Sequence, residues 1–112
     1  MFTLPKSVLT FVLSLSFITE VMAQTPVDYL RDVKPILRER CYSCHGALKQ
    51  ESGLRLDTGR AVRRGGDGGA IVDAEAAESS SLTERISSHD ESERMPPEGE
   101  PLTAVQIETL RN

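Results

Sequence analysis

The hydrophobic positions fall into segments of different pattern. Residues 8–18, Val8 to Ile18, are apolar or hydroxyl-bearing and carry no charge. In residues 27–40, Leu30, Val33 and Leu37 recur at i, i+3 and i+7, and Ile36 widens the stripe. That spacing predicts an amphipathic helix. Pro35 interrupts its donor series, so a kink or the start of a second short helix is expected there. Residues 46–79 hold no sustained period. Leu54 and Leu56 share a side if their stretch is extended, and Asp57-Thr58-Gly59 predicts a turn whose Asp57 or Thr58 caps a short helix through Val62. Arg63 to Gly69 reads as a flexible, solvated loop. It lacks the Lys-Ser or Lys-Thr that a phosphate-binding loop needs. Ser81-Leu82-Thr83-Glu84 has the form of a capping box, Ser81 at the cap, opening a short helix with Leu82 and Ile86 on one face. His89 to Pro101 is a polar loop. Thr103 to Gln106 forms a second capping box, opening a helix of about two turns whose apolar face holds Leu102, Val105, Ile107 and Leu110. Short helices joined by irregular segments, with no strand pattern and no internal repeat, predict an all-α fold.

The first segment has a different meaning. Lys6 precedes the apolar run, Glu20 closes it, and Val21-Met22-Ala23 stands before Gln24. This is the three-part form of a secretory leader, residues 1–23, cleaved after Ala23. A membrane anchor is the competing reading, but the run falls short of the roughly 20 apolar residues a span requires. The expected mature domain is therefore 24–112. Losing the leader removes Phe2, Phe11 and Phe17, leaving Tyr29 and Tyr42 as the aromatics and Met95 as the single methionine. So small a domain is marginal by surface-to-volume scaling and usually needs a staple. A bridge between Cys41 and Cys44 closes too small a loop to supply it, so something else is expected to fill the core. The net charge of −4 excludes nucleic acid and an anionic membrane surface as main partners.

Cys41-Tyr42-Ser43-Cys44-His45 is the attachment pattern for c-type haem. Two thiols separated by two residues reach the two vinyl groups on one porphyrin edge, and the next residue brings an imidazole to the iron. Three other uses of the pair fit less well. A dithiol oxidoreductase usually sets CxxC beside a βαβ unit. Structural zinc needs four ligands, and only Cys41, Cys44, His45 and His89 are available. A disulfide across two residues is strained. For the sixth position of the iron, Arg94-Met95-Pro96-Pro97 offers a thioether in a proline-stiffened loop, and Met/His ligation raises the haem potential. His89, in Ser88-His89-Asp90, is the rival. Arg55, Arg60, Arg63, Arg64 and Arg94 are candidate donors to the haem propionates, with the Gly65–Gly69 amides.

Longer runs carry a resemblance. Asp32-Val33-Lys34-Pro35-Ile36-Leu37, Cys41 to Gly46, Gly53-Leu54-Arg55-Leu56-Asp57, Gly65 to Val72, Ser81-Leu82, Arg94 to Pro97 and Leu102-Thr103 together resemble the planctomycete-type cytochrome c domain. The resemblance implies a cytochrome c-like arrangement of short helices around one haem c. Cys41 and Cys44 would be its attachment points, His45 the proximal ligand and Met95 the distal one. It implies an electron carrier in the periplasm or cell envelope and not an enzyme by itself. Its partners would be a redox protein and, often, further domains of a longer exported chain. Family members usually continue past the position of Asn112, so the domain is expected to be incomplete at its C-terminal end. A haem-based sensing or interaction module and a thiol-disulfide enzyme using Cys41 and Cys44 are the alternative functions.

Overall fold

The computed structural model of the protein describes residues 25–112, so the expected leader 1–23 lies outside the described residues. Four short α-helices follow in order: α1 (Lys34–Arg40), α2 (Gly59–Arg64), α3 (Ser81–Ser87) and α4 (Ala104–Arg111). A π-helical turn, Tyr29–Val33, leads into α1, and 3-10 turns occupy Glu51–Gly53 and Ala77–Ser79. Among the described residues there is no β-strand, only isolated antiparallel bridges at His45–Gln50 and Gly66–Gly69. None of the described helices is long and apolar enough to cross a membrane.

Local chemistry explains most boundaries. Pro35 stands in the first turn of α1, where its missing N–H is tolerated, and the chain ahead of it takes the wider π turn. That change of winding breaks the expected stripe. Leu37 is 2% exposed, whereas Leu30 is 70% exposed. Thr58 caps α2 by accepting from the Ala61 N–H at 3.1 Å, and the helix runs on to Arg64. Thr103 and Gln106 form the expected capping box, with Thr103 Oγ1 accepting from the Gln106 N–H and Gln106 Oε1 accepting from the Thr103 N–H.

The box expected at Ser81 does not form. Ser80 is the cap, and its Oγ accepts from the Thr83 N–H at 3.2 Å. Thr83 Oγ1 donates to the Ala77 carbonyl at 2.7 Å, tying the helix start to the preceding 3-10 turn. This shift by one residue buries Ser80 and Thr83 and leaves Glu84 exposed.

The core is drawn from all four helical regions of the described residues. Leu37 of α1, Leu56, Ala61 of α2, Ile86 of α3 and Leu102 before α4 are buried. A buried Leu or Ile side chain contributes roughly 1.5–3 kcal/mol relative to exposure. Helix α4 packs on α3 and on the π turn, but none of its residues is fully buried and Val105 is 76% exposed. Val105 therefore leaves the apolar face expected for this helix, and Leu102, just ahead of it, carries the burial.

Candidate functional site

The cysteine-histidine segment begins where α1 ends. The Cys41 and Tyr42 N–H groups both donate to the Leu37 carbonyl, at 2.9 and 3.0 Å, so the most buried leucine also anchors the turn. The Cys44 and His45 N–H groups then donate back to the Cys41 carbonyl. Downstream backbone fixes His45: its carbonyl accepts from the Leu56 N–H at 2.9 Å, and it bridges to Gln50. Gly46 is buried, and a Cβ there would lie 2.4 Å from the Tyr42 carbonyl oxygen. The turn therefore closes only with glycine at that position.

A cavity of about 440 Å³ opens beside this turn, within the ~300–1,000 Å³ of ordinary ligand sites. Leu54, Leu56, Ile71, Leu82 and Ile86 give it apolar walls. Cys41, His45 and Met95 line it together, although His45 and Met95 stand 50 positions apart in the sequence. The exposed residues Asp67, Gly68, Gly69 and Ser81 also border it. Cys44, half-buried on the same turn, is not among the lining residues, and its Sγ accepts a long contact from the Ser43 hydroxyl at 3.9 Å. His89 is exposed and does not reach the cavity.

The segment expected to be a flexible loop is a tight turn that builds one wall. Gly66 and Gly69 exchange both backbone hydrogen bonds at 3.0 Å, and the Asp67 N–H donates to Ser52 at 2.9 Å. Gly65 has φ +75°, and a Cβ there would meet the Gly69 carbonyl oxygen at 2.1 Å. The turn thus depends on glycine's access to positive φ and on backbone lying against backbone.

The Met95 loop is held at both sides. The Met95 N–H donates to the Arg85 carbonyl at 3.0 Å. Arg94 Nε donates to the Pro96 carbonyl at 3.2 Å and its Nη2 to the Gly99 carbonyl at 3.1 Å. Arg94 therefore braces the loop and does not line the cavity. Arg55 is held by Asp57, at 2.9 and 2.5 Å, and Arg60, Arg63 and Arg64 also lie outside the lining. The arginine that does line it, Arg85, was not among those the sequence singled out. The signal was available in its position one residue before buried Ile86, but only tertiary structure shows which face the cavity occupies.

The donors suit a large apolar cofactor with a metal at its centre. His45 Nδ1 is buried without a hydrogen-bond partner, and no side-chain hydrogen bond engages that ring among the described residues. An imidazole in an apolar wall beside a thioether is a nitrogen-and-sulfur donor set of the kind that ligates haem iron. Burial pushes the Cys41 thiol up to about 11 from its ordinary 9.0, which keeps it protonated. Burial likewise raises the Tyr42 phenol. No group of three or more His, Cys, Asp or Glu forms a metal-ligand cluster among the described residues. Structural zinc on Cys41, Cys44, His45 and His89 therefore finds no support in the geometry.

The profile of the family described as Planctomycete cytochrome C matches residues 41–99, a segment containing Cys41, Cys44, His45 and Met95. No curated protein and no solved structure matches the chain.

Proposed function

Because the chain belongs to the planctomycete cytochrome c family, we propose that it is an exported one-electron carrier with haem c attached through Cys41 and Cys44 and ligated by His45 and Met95. The observation that carries this reading is the apolar cavity in which Cys41, His45 with its unpartnered buried nitrogen, and Met95 come together. Haem bound there supplies an iron that alternates between ferric and ferrous states. The chain's own residues do the rest. The α1 end and the Gln50 and Leu56 contacts orient His45. Arg85 and Arg94 hold the Met95 loop. Leu54, Leu56, Ile71, Leu82 and Ile86 exclude water, which with the Met/His pair favours a raised potential. Residues 1–23 act as the export leader to the periplasm or cell envelope. The electron passes to a redox partner protein, and the domain serves as the electron-transfer module of a longer protein where one is attached.

Two features support a carrier over the alternatives. A sensing module needs a distal ligand that leaves readily, and the bracing of the Met95 loop opposes that. A thiol-disulfide enzyme needs a thiolate, and Cys41 is shifted the other way. The deciding experiment expresses the chain with periplasmic haem maturation, denatures it and extracts it with acidified solvent. We expect the haem spectrum to stay with the polypeptide. A colourless polypeptide would overturn the proposal.

A further inference from the structure

Arg85 is the one cationic side chain lining the cavity among the described residues, and Asp67 is the one acidic side chain. Other arginines are engaged elsewhere: Arg40 with Gln106 and the Glu100 carbonyl, Arg55 with Asp57, Arg94 with the carbonyls of Pro96 and Gly99. Among the described residues the Arg85 guanidinium makes a single long hydrogen bond, Nη1 to the Glu93 carbonyl at 3.3 Å, on an exposed side chain. Its remaining donors are free to form the planar fork that matches a carboxylate. Its own peptide carbonyl accepts the Met95 N–H at 3.0 Å.

From this arrangement, and resting on the haem reading above, we infer that Arg85 is the anion-binding residue of the cavity: it takes a haem propionate on its guanidinium while its carbonyl positions the Met95 loop. The physical reason is charge placement. A carboxylate entering an apolar cavity loses solvation that only a paired, hydrogen-bonded cation offsets. Asp67 repels the same carboxylate. The two charges together favour the acidic edge of a dicarboxylate porphyrin at Arg85. Glu84 and Glu93 border an adjoining cleft that Arg85 also lines.

The test uses the haem-loaded protein and the substitutions Arg85→Gln, Arg85→Lys and Arg64→Gln. The readouts are the resonance Raman propionate-bending band and the midpoint potential. Arg85→Gln is expected to shift the band and lower the potential, because losing a nearby positive charge favours the ferric state. Arg85→Lys keeps the charge, so it retains a potential near that of the parent while the band still shifts through loss of the bidentate fork. Arg64, exposed on α2 and outside the cavity, changes neither when replaced. Should the glutamine variant fail to mature, the lysine variant alone decides, since an unshifted band there contradicts a guanidinium–carboxylate fork. Haem-loaded variants with the parent's band and potential would overturn this inference alone. A parent protein that takes up no covalent haem would overturn the haem reading and this inference with it.

Discussion

At the scale of single residues, Cys41 combines burial with a role at the end of a helix. Its thiol, raised from 9.0 to about 11 by desolvation, holds ~100-fold less thiolate than an ordinary cysteine at pH 8. The folded, haem-free chain should therefore alkylate slowly at Cys41, with the rate recovering on denaturation; peptide mass after a timed iodoacetamide pulse checks this. The same shift ties stability to pH. A folded-state value above the unfolded one leaves the contribution intact below about pH 9. It is lost as pH rises toward 11, where the unfolded thiolate is favoured. Met95 and His89 separate equally well. In the haem-loaded protein Met95→Ala should lower the midpoint potential and open the iron to small ligands, whereas His89→Ala should do neither, as redox titration and carbon monoxide binding would report. A larger change in the His89 variant would reverse the ligand assignment. The motif residues were legible in the sequence because their chemistry depends on spacing along a single turn. Arg85 was not, because its relevance depends on which side of α3 faces Met95 from ten residues further along.

At the scale of elements, the caps show where local signals suffice. Thr103 acts within its own first turn as the sequence predicts, and Thr58 is one of the two caps, with Asp57, that the sequence offers for α2. At Ser80 and Ser81 two candidate caps stand side by side, and the choice falls to the Thr83–Ala77 hydrogen bond, a contact with the preceding turn. Ser80→Ala is expected to lower stability by about 1 kcal/mol, while Ser81→Ala changes it little. Urea midpoints of the two variants distinguish the caps. The helical stripe of residues 27–40 failed at Leu30 for a similar reason. A 3.6-residue period assumes uniform winding, and the π turn before Pro35 departs from it. The glycine turn at 65–69 was misread as mobile because composition reveals permitted backbone angles but not the partner backbone that fixes them. Leu37 gives a further prediction. It is almost wholly buried while Leu48 is fully exposed, so Leu37→Ala should cost about 2–5 kcal/mol and Leu48→Ala close to nothing, read as shifts in the same midpoint.

At the scale of the whole molecule, charge is divided along the chain. Residues 25–64 hold nine Lys and Arg against five Asp and Glu; residues 65–112 hold three against eleven. The histidine end of the site is thus borne on a basic half and the methionine end on an acidic half. With a net charge of −4, electron exchange with a small cationic complex should slow as salt is added, and exchange with an anionic complex should quicken. Stopped-flow rates across an ionic-strength series test this directly. One side chain links the last helix directly to the first. Gln106 Oε1 accepts from the Thr103 N–H at 3.0 Å and from Arg40 at 3.2 Å, across 66 positions of sequence. A single amide oxygen thereby completes the first turn of α4 and fastens it to the helix that ends at Cys41. Fraying and detachment of that last helix become one event, so its amides should trade their hydrogens for deuterium together, as a single cooperative unit, and in step with the opening of the Arg40 tether.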